Sequence, residues 1–302
     1  MRWKGRRESG NVEDRRGYRM AGGSRPGLRI PLSRGRSARG GGLGLGGILI
    51  VLALAWFTGI DPLTLLGLNG GSSYDSGPAI SSGTTAPAND ETSRFVSVVL
   101  ADTEDTWNTL LAEQGMNYPE PRLVLFSDAV RSACGQASAA VGPFYCGQDQ
   151  KIYIDLTFYR QLAGQLKAPG DFAQAYVLAH EVGHHLQNVL GILPEYHQAR
   201  QGMSERDANA LSVRVELQAD CFAGIWAHHA ARQQDFIEDG DIEEALNAAS
   251  RIGDDTLQKQ ARGYAVPETF NHGSSAQRVR WFREGFSSGD IRACDTFKAS
   301  TL

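Results

Sequence analysis

Residues 171–190 read DFAQAYVLAHEVGHHLQNVL, with Gly170 before them and Gly191 after. Leu178, Val182, Leu186 and Val189 recur at helical spacing. Gly170-Asp171 supplies a turn and cap at the start, and Gly191 with Pro194 beyond it supplies the stop. The spacing predicts one long helix over 171–190, and His180 and His184 lie off its apolar stripe. Residues four apart on a helix differ by ~40° around the axis. The two imidazoles therefore project side by side and can offer two nitrogens to one metal ion, a geometry zinc accepts. Glu181 is turned one residue away, beside such an ion, where a carboxylate can take a proton from bound water. His185 points ~100° from His184 and reads as a packing residue.

A catalytic zinc needs a third protein ligand and an open position. A second long helix is predicted from about Ser204 to Gln233, carrying Glu216-Leu-Gln-Ala-Asp220. Glu216 can complete a His-His-Glu set, and Asp220, one turn on, can accept the other ring proton of a ligating histidine and fix its tautomer. Standing alone, these two carboxylates would read as a solvated helix face. His228 and His229 of the same helix have no carboxylate at useful spacing and read as surface residues.

Working outward, residues 93–115 form an opening helix with Phe95, Val99, Trp107, Leu110 and Leu111 at helical spacing. Residues 122–126 read as a short strand. Residues 151–159 alternate Ile152, Ile154, Leu156 and Phe158 with polar or aromatic positions, which predicts a longer strand whose edge could take an extended peptide. A third long helix is expected over 241–259, and Ser274-Ser-Ala-Gln277 is a capping box opening a last helix through Phe286. The fold class is α+β: a mostly helical domain over 93–302 with a small sheet.

The N-terminal third differs. Residues 1–40 hold twelve Lys or Arg against three acidic residues, leaving 18 basic and 31 acidic residues for the rest. Rich in Arg, Gly and Ser, this stretch reads as a disordered basic tail. Residues 40–60 carry no charge and centre on Ile48–Phe57, a continuous apolar run long enough for roughly 30 Å of helix. A transmembrane helix over 41–60 is expected, and basic residues before it place the tail in the cytoplasm and the domain outside, in a single-pass inner-membrane arrangement. A cleaved signal fits less well, because Ala53-Leu54-Ala55 lies inside the apolar run. Residues 61–92 read as a flexible linker. The tail is better explained as a topology signal than as a nucleic-acid site, so no nucleic-acid partner is expected.

All four cysteines lie beyond the span, where disulfides persist. Cys134 and Cys146 flank the Gly142-Pro143 turn and close a short loop, which leaves Cys221 with Cys294. Free thiols or zinc-ligating cysteines are the alternatives, without a Cys-x-x-Cys knuckle to favour them.

The run from His180 to His185, the Glu216-Leu-Gln-Ala-Asp-Cys-Phe-Ala-Gly224 segment, the Gly142-Pro-Phe-Tyr-Cys146 turn and His272-Gly-Ser-Ser-Ala-Gln-Arg278 resemble the neutral zinc metallopeptidase family of bacteria. These motifs span about residues 93–297. The resemblance implies a zincin-like fold, one Zn2+ held by His180 and His184, and Glu181 as catalytic acid/base; the Glu-x-x-x-Asp pattern is similar to that of the glutamate-zincin peptidases. The expected activity is zinc-dependent hydrolysis of a peptide or protein substrate by an anchored extracytoplasmic enzyme. A second donor must face the oxyanion; His272 is the foremost candidate, with Tyr264 and Arg278 as alternatives. Two other readings are a zinc-binding scaffold without catalysis and a cell-wall peptide amidase, the latter without any wall-binding repeat to support it.

Overall fold

The computed structural model describes residues 1–17, 90–232 and 236–302. A four-stranded sheet contains β1 (Val12–Asp14), β2 (Arg122–Phe126), β5 (Phe144–Cys146) and β6 (Lys151–Asp155) in the order β1-β2-β6-β5. β1, β2 and β6 are parallel, and β5 runs antiparallel to β6 at the end of the sheet. A separate hairpin joins β3 (Ala129–Ser132) to β4 (Gly135–Ser138). The helices are α1 (Glu91–Ala112), α2 (Thr157–Gly164), α3 (Asp171–Val189), α4 (Ile192–Arg200), α5 (Glu205–Arg232), α6 (Asp241–Arg251), α7 (Asp254–Arg262) and α8 (Ser275–Ser288). The protein is thus mostly helical with a small sheet, as its sequence periodicities predict.

α3 lies at the centre, packed against α1, α5, α6 and β5. Leu178, Val182 and Leu186 of its predicted stripe are buried in the main core with Trp226, Phe222 and Phe282. The expected side-chain cap at Asp171 does not form. Instead Glu244 of α6 reaches across and accepts from the Phe172 N–H at 3.0 Å, placing a carboxylate at the helix N-terminus where the dipole favours it. α5 crosses α3 closely at Gly183: a Cβ there would come within 2.9 Å of the Ala219 carbonyl oxygen. The glycine inside the His-Glu-x-x-His run is therefore required by the approach of the second helix. α8 lies on α5 in the same way, with Gly285 facing the Cys221 carbonyl and Gly224 facing that of Phe282.

Four expectations need correction. The strand expected over 151–159 ends at Asp155 and turns into α2, because the Asp155 carboxylate accepts the Thr157 and Asp128 backbone N–H groups and closes a turn. β6 is also paired on both sides, so it has no free edge for a peptide; the end strands are β1 and β5. The helix expected over 241–259 is two helices broken at Gly253, where the N-terminus of α8 approaches so closely that a Cβ would meet the Ser275 nitrogen at 2.4 Å. Finally, the basic tail expected to be disordered over 1–40 is folded as far as it is described. Residues 1–17 belong to the same compact unit as residues 90–302, Trp3 packs edge-on against Phe95, and β1 adds a strand to the sheet. An average over forty Arg- and Gly-rich residues conceals a short segment that has apolar residues to bury.

The membrane span over 41–60 lies outside the described residues, as does the linker up to residue 89. Asp90 caps α1 through the Ser93 N–H, so the domain begins a little before residue 93. Among the described residues, no helix is long and apolar enough to cross a membrane. Both disulfides pair as expected: Cys134 with Cys146, and Cys221 with Cys294, the latter fastening α5 to the C-terminal segment.

Candidate metal centre

On α3, His180 is buried and His184 partly so, and their rings lie 4.8 Å apart. Glu216 arrives from α5 opposite both. Its Oε2 is 3.2 Å from His180 Nε2 and its Oε1 is 3.6 Å from His184 Nε2. The ligand atoms of all three residues fall within 4.8 Å of one another. Tetrahedral ligands at about 2.0–2.1 Å from zinc are separated by roughly 3.3–3.5 Å. The two nitrogen–oxygen distances bracket that edge, so the three side chains fit a zinc ion between them. The chemistry of the set agrees: two imidazoles and one carboxylate are a zinc donor set that leaves a fourth position open.

Each ring is held through its other nitrogen. His180 Nδ1–H donates to Asp220 Oδ1 at 2.9 Å, and His184 Nδ1–H donates to Gln187 Oε1 at 2.8 Å. Both Nε2 atoms are left facing Glu216. Gln187 is itself fixed by donating to the Val215 carbonyl and to Gln218 on α5. Asp220 is fully buried and accepts from Tyr176 Oη (2.6 Å) and from Arg278 Nε and Nη2 (2.8 Å each). Burial opposes its charge, but Arg278 and His180 hold the carboxyl at about 2. Burial likewise opposes charge on Glu216, yet His184 and His180 hold it well below the usual carboxylate range. Glu216 is thus a buried carboxylate kept ionised by the imidazoles that face it.

Glu181 sits beside this set. It is buried, burial pushes its carboxyl pKa up, and its Oε2 has no hydrogen-bond partner among the described residues. Tyr159, on α2, presents a second buried hydroxyl without a partner, and burial together with the charge of Glu181 opposes its ionisation. Unpartnered buried polar atoms are uncommon and point to a site that water or a ligand completes.

His272 lies ahead of α8. Its Nδ1–H donates to Asp254 Oδ1 at 3.1 Å, and Asp254 Oδ2 accepts the backbone N–H groups of Asn271, His272 and Gly273. Burial works against charge on the ring, but Asp254 and then Glu216 outweigh it and raise its pKa, which places His272 within electrostatic reach of the metal ligands. The two alternatives are placed otherwise. Tyr264 is 60% exposed beneath the Arg262 guanidinium, and Arg278 is buried against Asp220 and Tyr176.

His185 is a strut. Its Nε2–H donates to the Pro119 carbonyl and its Nδ1 accepts from Tyr145 Oη, tying α3 to β5; burial holds the ring neutral, with a pKa of about 4. His228 and His229 are half-buried and bond the Phe286 and Gly289 carbonyls at the end of α8, so they are packing residues and not free surface. Asp254, Gln187, Tyr176 and Tyr159 were not singled out from the sequence. Gln187 and Tyr176 stand three residues after His184 and four before His180, so helical spacing could have found them. Asp254 depends on the break between α6 and α7, and no local signal marks it.

The arrangement is two histidines on one helix facing a carboxylate from a second, with donor atoms close enough together to hold one metal ion. The chain belongs to the family described as "Putative neutral zinc metallopeptidase", whose pattern matches residues 1–297. It is 48% identical over 304 aligned residues to the uncharacterized protein YpfJ of Escherichia coli K12, covering 99% of this chain and 100% of that protein. It is 45% identical over 206 residues to the uncharacterized protein Mb2605 of Mycobacterium bovis, covering 65% of this chain and 67% of that one. No solved structure matches.

Proposed function

We propose that the protein is a zinc-dependent peptidase of zincin-like build. His180, His184 and Glu216 would hold the ion. When bound, zinc polarises the scissile carbonyl and acidifies the attacking water. Glu181 accepts the water proton at its unpartnered carboxylate oxygen as the water oxygen bonds to the carbonyl carbon. The same carboxyl then delivers that proton to the leaving nitrogen as the C–N bond breaks. His272, oriented through Asp254, donates from Nε2 to the carbonyl oxygen as it gains negative charge. The outer edge of β5, one of the sheet's two end strands and tied to α3 through Tyr145 and His185, is where we place an extended substrate. The two disulfides favour work in an oxidising compartment outside the cytoplasm. The apolar run within 41–60 favours attachment to a membrane.

The observation that carries this reading is the buried, unpartnered oxygen of Glu181 beside a two-histidine, one-carboxylate set. A purely structural zinc site closes with four protein ligands and has no use for that carboxylate. The test is Glu181→Gln in the full chain. Bound zinc should be unchanged while peptide hydrolysis falls by on the order of 10²–10⁴-fold. Equal activity in both proteins rejects the mechanism, and bound zinc with no hydrolysis by either favours a scaffold role.

A further inference from the structure

The basic N-terminal segment is a strand-bearing part of the same folded unit as the candidate metal centre. β1 pairs in parallel with β2, Val12 opposite Leu123 and Asp14 opposite Leu125. Backbone bonds continue on either side: Ser9 N–H to the Ser97 carbonyl at 3.0 Å and Arg2 N–H to the Phe236 carbonyl at 2.9 Å. The Met1 ammonium sits 3.1 Å from Asp171, the first residue of the histidine-bearing helix, and 3.3 Å from Asp241 of α6. Arg7 bonds Glu104, which is buried, and Arg16 bridges Asp14 to Asp90 with 2.6 Å contacts.

That last contact joins Arg16 to Asp90, so the two described segments meet there within one folded unit. A bilayer core is about 30 Å thick, an order of magnitude more than these contacts span. We infer that the N-terminal segment and the candidate metal centre lie on the same side of any membrane the chain engages. The single pass expected over 41–60 would instead put β1 and the other three strands of its sheet on opposite faces.

The charge asymmetry that suggested the single pass has another explanation. Positive charge orients a span when it stays on the cytoplasmic side. Here Arg2, Lys4, Arg7 and Arg16 are counter-ions for Glu238, Glu91, Glu104 and Asp90 of the acidic domain. Four of the twelve basic residues of 1–40 are thus paired with acidic residues of the folded domain.

The test uses the full chain in its native cells. All four native cysteines are in disulfides, so a single introduced cysteine reports alone. Lys4 and Lys298 have side chains 74% and 88% exposed. Lys4→Cys and Lys298→Cys are treated separately with a membrane-impermeant maleimide, before and after lysis. The two positions should behave alike, both labelled in intact cells or both only after lysis, to within about twofold. Full labelling at one with background at the other overturns the inference. A second measurement places cysteines at Lys4 and Glu91, whose side chains meet at 2.6 Å. A short bis-maleimide should join them within one chain, so that proteolysis between residues 18 and 89 leaves the fragments linked; fragments that separate also overturn it.

Discussion

Asp220 shows how much a single residue carries. Its two oxygens take four donors from two helices, α3 and α8, and one of those donors is the His180 ring, whose other nitrogen faces Glu216. Arg278 is the counter-ion that makes a charged carboxylate tolerable in a fully buried position. Replacing it with methionine leaves Asp220 without that partner, a change that costs about 3–5 kcal/mol in buried pairs. Arg278→Met should therefore weaken zinc binding by about 10–100-fold, read by competition with a chelator of known affinity. Arg278→Lys should fall between the two, because it keeps the charge and loses the fork. Unaltered zinc affinity in both would show that Asp220 orients His180 unaided. At this scale the sequence was most legible where residues share a helix. His180, Glu181 and His184 are set by local spacing, whereas the contact of Arg278 with Asp220 spans 58 positions and has no periodic signature.

Among the elements, the seam between α1 and α5 contains a titrating group. Asp102 accepts from Trp226 Nε1–H at 2.7 Å, and burial raises its pKa from 3.8 to about 6, more than that bond lowers it. The folded state thus holds a proton that the unfolded chain releases between about pH 4 and 6. Stability is fully present below pH 4 and is lost as pH rises through 6, by up to about 3 kcal/mol. Asp102→Asn keeps an acceptor for Trp226 and removes the charge. Denaturant unfolding should show the variant more stable than the parent at pH 7, by on the order of 1–3 kcal/mol, with the gap closing at pH 4. A constant difference at both values would count against this assignment. Element boundaries followed sequence where caps and stripes were local, as at the Ser274 capping box, which forms as predicted. They departed where tertiary contact decided: α6 and α7 are parted by the approach of α8 to Gly253, and that break delivers Asp254 to His272.

For the whole molecule, the N-terminal segment is a part of the domain and should be felt in its stability. Trp3 is 8% exposed and stacks edge-on with Phe95 at 5.4 Å. In the full chain, Trp3→Ala should lower unfolding stability by about 3–5 kcal/mol, seen as a shift in denaturant midpoint. A tail outside the fold would give no shift. By the same reasoning, a protein shortened to residues 93–302 lacks an edge strand and the ammonium partner of Asp171. It should lose stability and zinc together.

Legible in the sequence were the α+β composition, most of the main helices, the favoured cysteine pairings, and His180, Glu181, His184 and Glu216 as the residues of the candidate site. Each rests on short-range periodicity or on residue types with few alternative uses. Tertiary structure alone decided that Glu216 faces both histidines at tetrahedral spacing, because this depends on the close crossing that Gly183 permits. It also decided that Val12–Asp14, within a stretch read as a disordered basic tail over 1–40, add a strand to the sheet. Their pairing joins positions more than a hundred residues apart, and no window along the chain can see across that distance.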